Sequence, residues 1–141
     1  MVDILYVEDN PDDADIFSRL VTKFEQSPTY TILESGSEAI DYLTGKDGQQ
    51  RRTLPKLLLL DLNLVGLSGF DVVKRLRAAD HTRWLPIVSY STSDNPNDIR
   101  EAYAAGINAY VVKPGNYQAT RELLQHLCRF WLENNTLLNF Q

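Results

Sequence analysis

Leu57-Leu58-Leu59-Leu60 is an apolar run with no polar alternation, and it ends on a carboxylate, Asp61. A strand with one wet face alternates apolar and polar side chains. A strand apolar on both faces needs cover on both, which places it inside a parallel sheet between helices. The rest of the chain keeps a matching rhythm. Val2 to Val7, apolar apart from Asp3, reads as a buried strand. Asn10-Pro11 starts a helix, with Asn as N-cap and Pro at the first helical position. Ile16, Leu20, Val21 and Phe24 continue it at helical spacing to about Glu25. Thr29 to Leu33 reads as a strand. Ser37 caps a helix that carries Ala39, Ile40, Tyr42 and Leu43 and stops at Gly45. Lys46 to Pro55 is a polar loop. After the leucine run, Gly69 to Ala79 is helical, with Phe70, Val73, Leu76 and Arg77 periodic, and Pro86 to Tyr90 is a strand. Asn95-Pro96 repeats the helix start, with Ile99, Ala102 and Tyr103 marking its buried side and Gly106 its end. Ala109 to Val112 is the last strand, and Tyr117 to about Glu133 the last helix. Five strands alternating with five helices predict an α/β, doubly wound parallel sheet, (βα)5.

A chain of 141 residues is long enough for one domain with a hydrophobic core. With 43% apolar and 23% charged residues it lies near ordinary globular usage, which argues against disorder or a coiled coil. No apolar run nears the roughly 20 residues of a membrane span. The first residues lack a basic segment and enter a strand directly, unlike a signal peptide. Cys128 has no second cysteine to pair with, which fits a reducing cytoplasm. The net charge of −5 argues against nucleic-acid binding, which requires a basic face. Arg51-Arg52 reads as a solvated loop. The sequon Asn134-Asn135-Thr136 has no secretory context. His81, His126 and Cys128 show no metal spacing. Gly45-Lys46 follows a helix and lacks the glycines of a phosphate loop.

In such a sheet, ligands bind beyond the carboxyl ends of the strands. Strand one ends in Glu8-Asp9, strand three in Asp61, strand four in Ser91-Thr92 and strand five in Lys113-Pro114. The topology thus collects three carboxylates, hydroxyls and an ammonium at one edge. Close carboxylates repel, and a hard cation such as Mg2+ relieves this using one or two of them. Asp61, Asp9 and a backbone carbonyl near Asn63 supply suitable oxygens. Lys113 is then a point charge for a phosphoryl oxygen and Ser91 a donor to another. This is the equipment of phosphoryl transfer: charge neutralisation and alignment.

The segments Leu5-Tyr6-Val7-Glu8-Asp9-Asn10, Leu59-Leu60-Asp61-Leu62-Asn63, Ser91 after Pro86-Ile87-Val88, and Tyr110-Val111-Val112-Lys113-Pro114 together resemble the receiver domain of two-component response regulators. The resemblance spans nearly the whole chain. It implies a flavodoxin-like sheet in the strand order 2-1-3-4-5, and one receiver domain over 1–141 with a last helix and C-terminal extension from about 117. It implies Asp61 as phospho-acceptor, Asp9, Asp61 and the Asn63 carbonyl as ligands of Mg2+, and Glu8 reaching the ion through water. It makes Lys113 the phosphoryl-binding lysine, Lys113-Pro114 a cis bond, and Ser91 the switch hydroxyl. Tyr110 becomes the switch aromatic, moving inward as Ser91 turns to the phosphoryl group. The phosphodonor would be a histidine on a sensor kinase. Leu62-Asn63-Leu64, the long loop before strand three and Phe130-Trp131-Leu132 further resemble the small single-domain regulators paired with cyanobacterial phytochromes. Two positions depart from the family pattern. Val65 stands where proline is usual, which leaves that loop less rigid. Ser91 replaces the commoner threonine and keeps the hydroxyl.

The last helix carries more apolar surface than one face hides: Leu123, Leu124, Leu127, Cys128, Phe130, Trp131 and Leu132, with Leu137, Leu138 and Phe140 beyond it. Two readings stay open, a tail folded over its own domain and a partner surface. The resemblance implies a homodimer through helix four, strand five and helix five. The function expected is a stand-alone, cytoplasmic phosphorylation switch that is not a turnover enzyme and has no output domain. Alternatives are a phosphorelay intermediate and a phosphorylation-independent interaction or dimerisation module. An aspartate-nucleophile phosphatase needs a second acid two residues past the nucleophile, where this chain has Asn63.

Overall fold

The computed structural model describes residues 2–45 and 53–138. Five strands, β1 (Ile4–Val7), β2 (Tyr30–Leu33), β3 (Leu57–Leu60), β4 (Ile87–Ser91) and β5 (Ala109–Val112), alternate with helices α1 (Pro11–Val21), α2 (Gly36–Thr44), α3 (Gly69–Ala78), α4 (Pro96–Ala105) and α5 (Tyr117–Cys128). All strand pairs are parallel, in the order β2-β1-β3-β4-β5. The leucine run occupies the middle strand, as its unbroken apolarity requires. Leu57 and Leu59 enter one core with Ile4, Tyr6, Phe17, Val88 and Leu124. Leu58 and Leu60 enter the other with Leu5, Val7, Val72, Leu76 and Ile87. The edge strands β2 and β5 are only partly covered.

Local chemistry sets most helix starts. Asn10 accepts from the N–H groups of Asp12 and Asp13, and Asn95 from Asn97. The second helix begins earlier than expected. Ser35, not Ser37, is its cap, accepting from Glu38 N–H at 3.1 Å. The earlier start lets Gly36 lie against α3, where an added Cβ would come within 2.7 Å of Leu67 O and Val72 Cγ2.

Helix α1 stops at Val21 rather than near Glu25, and the Thr22 hydroxyl donates to Ser18 O at 2.8 Å. Its inward residue is Phe17, while Ile16 is 37% exposed. Strand β4 is shifted one residue late and includes Ser91, while Pro86 precedes it and accepts from Leu58 N–H. Tyr103, expected inside, is half exposed. The last helix widens into a π-helical turn, Arg129–Asn134, closed by Asn135 N–H on Phe130 O at 2.7 Å.

That turn divides the surplus apolar surface. Leu124, Leu127 and Cys128 are buried, and Leu123, Trp131 and Leu132 pack against the same core. Phe130, Leu137 and Leu138 remain exposed, with Phe130 edge-on to Trp131 at 5.0 Å. The reading of a tail folded over its own domain therefore holds for the residues before and within the turn, while three apolar side chains stay at the surface. Arg51, Arg52, Lys46 and Phe140 lie outside the described residues.

Candidate functional site

The register of the sheet aligns Val7 with Leu60, and Ser91 with Val112, so the residues after these positions meet at one edge. Glu8 is buried there. It accepts from Tyr6 Oη at 2.9 Å and Asn10 N–H at 3.3 Å, and from the Lys113 ammonium. Asp9 accepts from Val65 N–H at 2.9 Å. Asp61, 7% exposed, takes Asn63 N–H on Oδ1 at 3.0 Å, with Lys113 Nζ at 3.6 Å from Oδ2. Lys113 is anchored by its own N–H on Ser91 O at 2.7 Å, and its ammonium lies 5.4 Å from the Tyr90 ring centroid.

Glu8, Asp9 and Asp61 each have a carboxylate oxygen within 4.8 Å of the others'. Burial pushes the Glu8 carboxyl up to about 7, helped by Asp61 and opposed by Lys113. Burial alone would lower the Lys113 ammonium. Hydrogen bonds to Glu8 and Asp13 and the charge of Asp61 outweigh it and hold the ammonium above its ordinary value. The Tyr6 hydroxyl is raised by burial and then by Glu8. A converging, all-oxygen donor set of this kind fits a hard divalent cation, whose charge would offset the repulsion among the three carboxylates.

Ser91 is buried at the end of β4, and its Oγ accepts from Ser93 N–H at 3.3 Å and Asn63 Nδ2 at 3.4 Å. Tyr110, half buried, donates its hydroxyl to Ser93 O at 2.9 Å and its N–H to Tyr103 Oη at 3.2 Å. Ser93 therefore touches both expected switch residues, through opposite ends of its backbone. Thr92 is exposed and Pro114 half buried. The Lys113-Pro114 bond, expected cis, is trans. Trans is the intrinsic X–Pro preference by about 0.5–1 kcal/mol, and Lys113 reaches the acids from it.

Sequence reading missed three contributors. Tyr6 acts through one hydrogen bond to Glu8 and Ser93 through its backbone bonds to Ser91 and Tyr110, none of which a pattern announces. Asp13 bonds Lys113 Nζ at 2.9 Å. Its only sequence signal is an acid in the first helical turn after the acid pair, a signal Asp12 shares.

The geometry agrees with the comparisons. The family model described as "Response regulator receiver domain" matches residues 4–126. The chain belongs to that receiver-domain family. Among its relatives is the probable methanogenesis regulatory protein FilR2 of Methanothrix harundinacea, 31% identical over 92% of this chain and 83% of that protein. Response regulator Rcp1 of Synechocystis is 29% identical over 95% of this chain and 91% of its own. The Mn2+-bound structure of Rcp1 superposes with a TM-score of 0.86, covering 96% of this chain and 98% of that one at 29% identity. The phosphorylated cyanobacterial phytochrome response regulator RcpA superposes with a TM-score of 0.88 at 29% identity, over 96% of this chain and 97% of its own. This receiver domain thus has the flavodoxin-like topology expected for it, and its relatives include phytochrome response regulators. No described helix is long and apolar enough to cross a membrane.

Proposed function

We propose that this receiver domain is a phosphorylation switch in which Asp61 takes a phosphoryl group from a sensor histidine kinase. The observation that carries the reading is the setting of Asp61, a nearly buried carboxylate 3.6 Å from an ammonium and inside a converging acid cluster. An Asp61 oxygen attacks phosphorus, the O–P bond forms, the N–P bond of the phosphohistidine breaks, and the imidazole leaves with the electron pair. Asp9, Asp61 and the Asn63 carbonyl, with Glu8 through water, would hold Mg2+, which supplies charge neutralisation for the phosphoryl oxygens. Lys113 binds one of those oxygens and Ser91 donates to another. For Ser91 to do so, its hydroxyl turns from Ser93 N–H. Tyr110, bonded to the carbonyl of the same residue, then repacks. The charge change at Asp61 so reaches α4, β5 and α5 as a shift between two states.

Exposed Tyr103 and Val112 on α4 and β5, and Phe130 after α5, support that face as the place where a second copy binds. The phytochrome pairing of RcpA supports a phytochrome as the kinase, and a lone buried thiol suits the cytoplasm.

The test is an intact mass spectrum after incubation with a small-molecule phosphodonor, with and without Mg2+, beside Asp61→Asn. One Mg2+-dependent phosphoryl adduct, absent from the variant, is the expected result. No adduct on a chain that binds Mg2+ would favour a phosphorylation-independent interaction module. Dimer affinity measured with and without the adduct then tests the coupling, and an unchanged affinity would remove it.

A further inference from the structure

Lys113 carries three N–H donors and lies among the carboxylates of Glu8, Asp13 and Asp61. Its hydrogen bonds go to Glu8 Oε1 and, at 2.9 Å, to Asp13 Oδ2. Asp61 Oδ2, at 3.6 Å, is within ion-pair reach but beyond hydrogen-bond reach. The ammonium is thus held just off the acceptor by two other acids.

Those two acids are not equivalent. The Glu8 side chain is fully buried and also holds Tyr6 Oη and Asn10 N–H, so it cannot give up its partners without stranding them. The Asp13 side chain is 34% exposed on the first turn of α1, where water can replace the ammonium at little cost.

We propose that Asp13 is a positioning residue that withholds Lys113 from Asp61 before phosphorylation and releases it afterwards. The proposal rests on Asp61 being the phospho-acceptor. A phosphoryl group brings about two negative charges and three strong acceptor oxygens, which outcompete one half-solvated carboxylate. The Asp13–Lys113 pair then belongs to one state only, so removing it shifts the balance toward the other. Removing it also takes a negative charge from the path of an anionic donor. Asp13 and Lys113 both line the groove of about 280 Å³ between α1 and α5, so the released carboxylate also changes the charge of that groove.

The test compares wild type, Asp13→Asn, Asp13→Glu and Asp12→Asn in the rate of phosphoryl adduct formation at saturating Mg2+. Asp12 lies in the same turn, is exposed, and measures the bulk effect of losing one charge. Asp13→Asn should form adduct up to about five-fold faster, the scale of one partly exposed ion pair. Asp12→Asn should stay near wild type, Asp13→Glu should return toward it, and half-saturating Mg2+ should not move. In an Asp61→Asn background, where no transfer occurs, Asp13→Asn should raise the labelling of Lys113 by an amine-specific reagent.

Equal rates for Asp13→Asn and Asp12→Asn, a slower Asp13→Asn, or unchanged Lys113 labelling would each overturn the proposal while leaving the acceptor reading intact. A wild type that takes no phosphoryl group would overturn both.

Discussion

Val65 illustrates how one side chain's identity acts through its backbone. Its side chain is 84% exposed, yet its N–H donates to Asp9 at 2.9 Å. Proline, usual at this position in the family resembled, has no N–H to offer. The loop that valine leaves less stiff is thus tied to an expected metal ligand. Outer-shell donors of this kind orient ligating carboxylates. Val65→Pro should weaken Mg2+ binding about ten-fold while Val65→Ala leaves it unchanged, as read by calorimetric titration. Equal affinities in all three proteins would show the bond to be incidental. Ser89 is the opposite case. Its Oγ is buried on β4 and is the one buried side-chain polar atom without a hydrogen-bond partner among the described residues. An unpaired buried hydroxyl costs about 1–3 kcal/mol. Ser89→Ala should raise the urea midpoint, a gain of about 1 kcal/mol. A lowered midpoint would mean that bound water satisfies the hydroxyl.

At the scale of elements, helix packing is set by close approaches more than by propensity. Gly36 lets α2 meet α3 where a methyl group would come within 2.7 Å of a backbone carbonyl. Gly36→Ala gains helix propensity, yet should lose about 1–3 kcal/mol overall, because overpacking forces the two helices apart. Thermal unfolding beside an exposed-site control, Ser37→Ala, checks this. At the opposite end of the sheet, Arg77 is held by carbonyl oxygens. Its guanidinium donates to the carbonyls of Gly106, Arg83 and Leu85 and to Asn108 Oδ1. Burial lowers its pKa, but Arg stays charged, and the fork fastens α3 to the turns before β4 and β5.

Across the whole molecule, the acid cluster links stability to pH. The Glu8 carboxyl is pushed from an ordinary 4.5 up to about 7, first by burial. Between those values the folded chain holds a proton that the unfolded chain has released. Metal-free protein should therefore lose stability as pH rises through this window, by up to about 1.4 kcal/mol per unit. Urea midpoints at about pH 5 and 7.5 in chelator should fall for wild type and fall less for Glu8→Gln, which has no proton to lose. Excess Mg2+ favours the ionised carboxyl and should flatten the wild-type slope. Identical slopes in wild type and variant would exclude Glu8 as the source.

Much of this was already legible along the chain. The leucine run demanded cover on both faces, and the alternation of strands and helices placed Glu8, Asp9, Asp61, Ser91 and Lys113 at one edge. Each of these residues directly ends or follows an apolar run, so its position needs only the strand direction. Which acid of the Asp12-Asp13 pair reaches Lys113, and whether Ile16 or Phe17 faces the core, depends on the rotational phase of a helix, and packing against neighbouring elements sets that phase. The choice of Ser35 over Ser37 as cap followed from the approach of α2 to α3. The bonds of Ser93 to Ser91 and Tyr110 join residues up to 17 positions apart. Periodicity reports which side of an element is apolar, but a hydrogen bond between side chains and distant backbone exists only once the strands and loops stand side by side.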